Sequence, residues 1–201
     1  MRKSIARILV TSVAAAAVIA LSATAAFAAP TFSISPGGKY TAKASKTILT
    51  DNNSGAKLTC SSATAKGKLK VGKGLSGKGI GTVTASAFKS CKGPLGLVVK
   101  VKQVGTWSLN LTKYSSKTGV STGYLSKIDA KLSATGCAAT VTGSADATFK
   151  NSTGVLALKL VKKSGHVLKV SKVSGCFGLL NNGDTSSFAG SYKVSPKQKI
   201  S

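Results

Sequence analysis

The chain has 201 residues, with 29 Lys plus Arg against 4 Asp plus Glu and a formal net charge of +25 at pH 7. A hydrophobic content of 42% is too high for a disordered polycation, so we expect one folded domain despite the charge. All four acidic residues are Asp and they are dispersed, which argues against glycosidases, aspartic proteases and most Mg²⁺ or Ca²⁺ sites.

The first 28 residues have the features of a secretory signal peptide. Three basic residues near the start precede an apolar stretch from Ile8 to Leu21, and Ala26-Phe27-Ala28 has the small–x–small pattern of a cleavage site. A transmembrane anchor is the alternative, although Ser and Thr dilute the apolar run. Cleavage after Ala28 would remove 28 residues and three positive charges, leaving 173 residues with a charge of +22. We therefore predict a protein that is secreted or associated with the cell envelope.

After residue 30 the pattern is that of short β-strands separated by turns. Turn residues recur between the apolar runs, and Asn182-Gly183 suits a two-residue hairpin. No later segment keeps helical periodicity for three turns. The sequence thus predicts a single all-β domain over residues 29–201, an antiparallel β-sandwich or a closed β-barrel, after an N-terminal signal helix. The clearest strands are Leu97–Val104, Gly105–Tyr114, Gly154–Val161 and His166–Val173.

Alternation along the strands assigns lysines to the outside. Val99 and Val101 are predicted to face the interior while Lys100 and Lys102 face water. The same pattern predicts that Leu69 and Val71 face inward, with residues 68 and 70 outward. Lysines on exposed strands also protect a sheet from aggregation through its edges.

Four cysteines in a chain predicted to be exported indicate disulfide bonds. None lies close enough to another for a CxxC redox or zinc motif. Of the three possible pairings we favour Cys60–Cys91 and Cys137–Cys176, because the two enclosed stretches are loosely similar and each is followed by a Gly/Leu segment, CKGPLGL and CFGLL. This similarity favours two diverged halves, about 29–114 and 115–201, although chance similarity in a low-complexity sequence explains it equally well.

No motif indicates an enzyme. Gly72–Gly79 matches GxGxxG, but a strand-like segment follows it and the next acidic residue is Asp129, so we predict a flexible turn. His166 is the sole histidine, and no GxSxG motif accompanies it. We therefore predict a protein that is not an enzyme and that uses no cofactor and no metal.

The lysines are the strongest functional signal. The predicted domain contains no Arg, which argues against sequence-specific nucleic-acid recognition and favours nonspecific, salt-sensitive binding of anionic polymers. If two lysine-rich segments adjoin, as the similarity of the two halves suggests, they form one basic face. The candidate anion-binding residues are Lys66, Lys68, Lys70, Lys73 and Lys78 in the first segment and Lys159, Lys162, Lys163, Lys169 and Lys172 in the second.

Several blocks carry a resemblance to a family of small exported actinobacterial proteins. They are TFSISPGG, GLSGKGIGTVTASAFKSCKGPLGL, GTWSLNLTKY followed by TGVSTGYLSKIDAKLS, and SGCFGLLNNGDTSSFAGSYKVSPKQKIS. Together they cover most of the predicted domain, which resembles this uncharacterised family of secreted β-rich proteins with four cysteines. The resemblance implies export, four matching cysteines and a β-rich domain, and it supplies no catalytic residues.

These observations lead to one functional hypothesis and two alternatives. The hypothesis is a secreted cationic domain that binds anionic cell-envelope or extracellular polymers, namely teichoic-type phosphates, acidic glycans or, nonspecifically, extracellular DNA. One alternative is a pore-forming or outer-envelope β-barrel with a lysine-lined lumen, the only case in which a membrane is a partner. The other is a plain structural secreted protein whose charge keeps it soluble.

Overall fold

A computed structural model describes residues 29–159 and 165–201; the predicted signal peptide and its helix lie outside the described residues. The all-β prediction is confirmed, because two short 3₁₀ turns, Pro94–Gly96 and Cys176–Gly178, are the only helical elements in these ranges. No helix in the described ranges has the length and apolar character needed to span a membrane. The strands are β1 (Thr31–Ser35), β2 (Gly38–Ala44), β3 (Thr47–Asp51), β4 (Lys57–Leu69), β5 (Gly72–Ser76), β6 (Gly81–Lys92), β7 (Lys100–Gln103), β8 (Trp107–Ser115), β9 (Val120–Ala134), β10 (Cys137–Lys150), β11 (Val155–Leu158), β12 (Leu168–Gly175), β13 (Thr185–Ser195) and β14 (Lys199–Ile200).

Eleven of these strands form one antiparallel sheet that closes on itself. Three positions in the ring are each filled by two short strands that lie end to end, β2 with β3, β7 with β8, and β11 with β12. Around the ring the order is β2/β3, β4, β6, β7/β8, β9, β10, β11/β12 and β13, and β13 pairs back with β2 and β3. The chain therefore winds up and down around a closed ring, the second of the two predicted architectures, and no long sheet edge is left open.

Alternation along each strand directs apolar side chains into the ring. On β2, for example, Tyr40, Ala42 and Ala44 are buried, while Lys39 just before them and Lys43 between the two alanines are exposed. Because strand side chains point to opposite faces with a period of two, the lysines follow the outer face. A core of buried aliphatic and aromatic residues fills the interior.

The predicted side-chain orientation is correct around Val99 and Val101 and is wrong at Val71. Val99 and Val101 are half-buried and the lysines beside them are exposed, as predicted. Val71, in contrast, is 61% exposed. The alternation stops at Leu69, the last residue of β4, because the chain then leaves the ring to form β5.

A separate three-stranded sheet, β14-β1-β5, packs against one end of the ring. Its buried residues Ile34 and Ile200 share a small apolar cavity with Leu69 and Phe149, which lie at the ends of β4 and β10. Asn151, in the turn after β10, holds the last strand with two hydrogen bonds, Nδ2 to the Ile200 carbonyl (2.7 Å) and the Ile200 N–H to Oδ1 (2.9 Å). We call this end of the ring, where β4 ends and β6 begins, the small-sheet end.

Both disulfides lie at the opposite end, which we call the disulfide end. Cys60 on β4 is directly opposite Cys91 on β6, and Cys137 at the start of β10 is bonded to Cys176 in the second 3₁₀ turn. The predicted pairings are thus confirmed. Disulfides persist in oxidising compartments, so the fold indicates an oxidising environment.

Candidate anion-binding surface

The first predicted lysine segment converges on the small-sheet end. Lys66 and Lys68 lie near the end of strand β4, and Lys70 follows that strand. Lys73 lies on β5, and Lys78 is in the turn before β6. All five side chains are exposed. The reversal of the chain between β4 and β6, together with the excursion into β5, brings this whole segment to one end of the ring.

The fold adds lysines to this end that no local sequence pattern singles out. They come from strand ends and turns that are far apart in the chain but meet at the same end because neighbouring ring strands are antiparallel. Each of them is exposed. They are Lys39 on β2, Lys113 on β8, Lys117 in the β8–β9 turn, Lys150 on β10, Lys197 before β14 and Lys199 on β14.

Some of these lysines face each other directly across neighbouring strands. Lys39 is opposite Lys68 on β2 and β4, and Lys43 is opposite Lys193 on β2 and β13. Cα atoms of opposite residues in an antiparallel pair lie about 4.5–5.5 Å apart, and like charges at that position destabilise the sheet. The outer face of β13, β2 and β4 thus continues the positive charge of the small-sheet end along the wall of the ring.

None of the Asp side chains in the described residues lies at the small-sheet end. Asp51 and Asp184 lie at the disulfide end, at the end of β3 and just before β13. Asp129 and Asp146 are on the ring wall, on β9 and β10. Asp51 caps the turn after β3, because its Oδ1 accepts hydrogen bonds from the N–H groups of Asn53 (3.0 Å) and residue 54 (2.8 Å).

Two lysines near the small-sheet end are held by backbone carbonyl groups. The Nζ of Lys197 donates a hydrogen bond to the carbonyl of Ser152 at 2.8 Å. The Nζ of Lys193 donates one to the carbonyl of Thr153 in the same β10–β11 turn. These contacts fix the position of two ammonium groups while leaving both side chains at the surface.

The second predicted lysine segment lies elsewhere. Lys159 follows β11, Lys169 and Lys172 lie on β12, and the other two predicted residues, Lys162 and Lys163, are outside the described residues. In the ring, β13 and β2 separate β11/β12 from β4, so the described residues of the two segments are not on adjacent strands. The first segment instead joins the lysines of β2, β13 and the strand ends.

His166 belongs to a small polar cluster on the ring wall. Its Nδ1 lies 2.9 Å from Oδ1 of Asp146, which is buried, and its ring stacks on Tyr124 with centroids 4.1 Å apart. Lys159 lines the same surface cleft. This pairing anchors the segment just before β12 to the wall, and it was not evident from the sequence because its members come from two different strands and a loop.

The ring interior is not an anion site. Its central cavity of about 80 Å³ is lined almost wholly by apolar side chains. Burial raises the pKa of Tyr40 and of Tyr192, which line it, because the phenolate form would lose its hydration. Tyr40 Oη donates a hydrogen bond to the Thr82 carbonyl at 3.0 Å. No cluster of His, Cys or Asp in the described ranges has the geometry of a metal site.

Comparison with known proteins adds no assignment to this geometry. The chain matches no protein-family model, no curated protein and no solved structure.

Proposed function

We propose that this protein is a secreted or envelope-associated, non-enzymatic domain that binds anionic cell-envelope or extracellular polymers through lysines at its small-sheet end. The observation that carries the proposal is the gathering of exposed lysines from six strands and four connecting segments at one end, with no Asp side chain of the described residues there to neutralise them. The signal-peptide pattern and the two disulfides support a location outside the cytoplasm.

The chemistry of the surface favours a repeating polyanion over a single small anion. Lysine presents a point charge without the planar fork with which arginine grips one phosphate or carboxylate. Ammonium groups spread over a sheet end and a strand face suit a chain of phosphates or carboxylates that lies across them. Teichoic-type phosphates, acidic glycans and, nonspecifically, extracellular DNA are the polymers with this chemistry.

The arrangement of the lysines also bears on the alternatives. A lysine-lined lumen needs lysines that point into the ring, whereas the described lysines lie at the outside and the interior is apolar. We therefore do not carry that alternative further. The plain structural role differs from polymer binding in a measurable way, since it requires only total charge and not its position.

The test compares two triple variants of equal charge. Lys70→Gln/Lys73→Gln/Lys78→Gln removes lysines of the small-sheet end, and Lys102→Gln/Lys131→Gln/Lys172→Gln removes exposed lysines from the wall and the disulfide half. Binding to polyglycerol phosphate and to heparin is measured over a range of salt concentrations. We expect the first variant to bind about tenfold to a hundredfold more weakly and its salt dependence to become shallower by roughly one unit of log–log slope per lysine.

The control variant is expected to change affinity by less than about threefold. Equal losses in both variants would mean that only net charge matters and would contradict the proposal in favour of the structural role. Pull-down on isolated cell walls, with and without their teichoic acid, then identifies the polymer class. Failure to bind any polyanion at moderate salt would remove the function altogether.

A further inference from the structure

The disulfide end displays large apolar side chains in water. Leu95 is 103% exposed, Phe177 is 79% exposed and Val98 is 66% exposed. Val71, at the small-sheet end, is the other large hydrophobic residue exposed to this degree among those described. The apolar exposure is therefore concentrated at one end of the ring, the one opposite to the lysine surface.

Two of these side chains stand on backbone that is unfavourable for them. Leu95 has φ of 55° and Phe177 has φ of 52°, in the left-handed region that glycine and asparagine tolerate best. Leu95 lies in the 3₁₀ turn after Cys91, and Phe177 lies in the 3₁₀ turn that begins with Cys176. A leucine and a phenylalanine that gain no burial at such positions suit a role in contacting another apolar phase.

The first turn and the segment that follows the second turn line one shared hollow, which places both beside it at the disulfide end. Pro94 and Leu97 line it from the first turn, and Leu179 and Leu180 line it from the segment after the second. Lys57 also lines this hollow. The Phe177 ring itself lies over Gly136, since a Cβ at that glycine would be 3.3 Å from the ring.

Positive charge flanks the apolar tips, and the two nearby Asp residues are buried, with Asp51 in the lining of the hollow. Lys92 is paired with Val98 by a β-bridge, and Lys100 begins the next strand. Asp51 and Asp184 are 1% and 8% exposed, and each accepts hydrogen bonds from the backbone of its own loop. The solvent-facing surface of the disulfide end therefore combines apolar tips with ammonium groups, and neither Asp51 nor Asp184 exposes its carboxylate there.

We propose that the disulfide end docks on an anionic lipid bilayer. Leu95, Val98 and Phe177 insert at the boundary between headgroups and acyl chains, while Lys57, Lys92 and Lys100 lie against lipid phosphates. Short apolar tips beside lysines match the layered chemistry of such a surface, in which phosphate lies directly above hydrocarbon. A second copy of this chain is a poorer partner, because two strongly cationic bodies repel each other. This inference goes beyond the polymer function and uses the other end of the molecule.

The test uses substitutions that suit the left-handed backbone. Asparagine replaces the exposed residues in Leu95→Asn and Phe177→Asn, so folding is retained while the apolar tip is lost. Binding is measured by flotation with vesicles of phosphatidylglycerol and, in parallel, of phosphatidylcholine. We expect the full chain without its first 28 residues to bind the anionic vesicles, and each substitution to weaken that binding about tenfold. Val71→Asn, at the opposite end, is the matched control and is expected to bind as the parent does.

Heparin retention separates this proposal from the polymer function. Leu95→Asn and Phe177→Asn are expected to leave it unchanged, because they remove no charge. Vesicle binding that survives both substitutions but is lost in Lys70→Gln/Lys73→Gln/Lys78→Gln would overturn the lipid proposal. Self-association in solution that the tip substitutions abolish would equally overturn it, in favour of a second copy.

A spectroscopic variant reports insertion directly. Phe177→Trp places an indole at the tip, while the native Trp107 is 7% exposed inside the ring and gives a constant background. On addition of phosphatidylglycerol vesicles we expect a blue shift of the emission and quenching by brominated acyl chains. If the protein binds the vesicles but the indole at position 177 keeps the emission spectrum of a solvent-exposed tryptophan, insertion into the bilayer is contradicted.

Discussion

The two ends of the ring are closed by different means. At the disulfide end, two covalent bonds tie β4 to β6 and β10 to the turn after β12, and the connecting segments leave apolar side chains in solvent. At the small-sheet end, closure is noncovalent and depends on the burial of Ile34 and Ile200. Exposed lysines are thus most concentrated at the end that side-chain packing closes, and the exposed apolar tips are at the end that the disulfides close.

Charge repulsion explains part of this division. Lysines that crowd the small-sheet end oppose its closure, and the hydrogen bonds and apolar contacts of β14-β1-β5 must outweigh that repulsion. At the disulfide end, Asp51 and Asp184 are close to the loops and the lysines are fewer. Substitutions that remove one feature at a time, followed by stability measurements, can therefore separate the contributions of the two ends to stability.

The largest expected effect is the loss of a disulfide. Cys60→Ser/Cys91→Ser opens a sequence separation of 31 residues and Cys137→Ser/Cys176→Ser one of 39. Chain-entropy arithmetic gives a loss of about 4 kcal/mol in the free energy of unfolding for either pair, measured by urea denaturation. A loss below about 1 kcal/mol would mean that the disulfide end is held mainly by its packing.

The second largest effect on stability is expected from weakening the small-sheet end. Ile34→Ala removes a side chain that is 2% exposed between the small sheet and the ring, so we expect a loss of about 3 kcal/mol. Val71→Ala, nearby but exposed, is the control and should change stability little. Amide hydrogen exchange should accelerate in β1, β5 and β14 while β4 near Cys60 stays protected. Uniform acceleration throughout the ring would show that the two ends do not open separately.

The buried tyrosines between the two ends give a smaller, pH-dependent effect. Because burial raises the pKa of Tyr192 above its usual value near 10, the native state favours the neutral phenol. Its contribution is complete below pH 10 and is lost as pH rises further, by roughly 1.4 kcal/mol at pH 11. Tyr192→Phe has the same lysines and no phenol, so its thermal stability should fall less than that of the parent between pH 9.5 and 11. Parallel curves of thermal stability against pH for Tyr192→Phe and the parent would contradict a raised pKa for Tyr192.

The smallest expected effect tests the facing lysines. Lys68→Gln relieves the contact with Lys39 and should raise stability by about 0.5 kcal/mol at low salt. The gain should vanish near 1 M salt, where the screening length falls to about 3 Å. Lys169→Gln, whose cross-strand neighbours are Thr142 and Thr185, is the matched control and should show no such gain. Equal gains would mean that the repulsion is diffuse.

Local pattern predicted the strands better than their closure. The segment from Leu97 to Val104 contains β7, and His166–Val173 overlaps β12, because alternation and turn residues act over a few neighbouring positions. Closure of the ring depends on β9 pairing with β10 on one side and on β13 returning to β2 and β3 on the other. Those contacts join segments up to about 150 residues apart, a range over which single-sequence periodicity carries no information.

The candidate site divides in the same way. The first lysine segment was visible because its members are close in sequence, and the structure keeps them together. Lys39, Lys197 and Lys199 lie in unremarkable local contexts, and they join the site only because their strands end at the same place. The adjacency expected of the second segment is absent among the described residues because two ring positions intervene. That the two halves arose by duplication stays a prediction.

The amino-acid sequence alone was enough to predict the strand content, the cationic and arginine-free character of the predicted domain and four cysteines suited to two disulfides. These properties follow from residue chemistry and short-range periodicity, which need no knowledge of the partner strands. The tertiary structure decided that the ring closes, that lysines and exposed apolar side chains occupy opposite ends, and that the interior is apolar. Those outcomes depend on which distant strands pair and in what register, because register sets the face and the end at which every side chain lies.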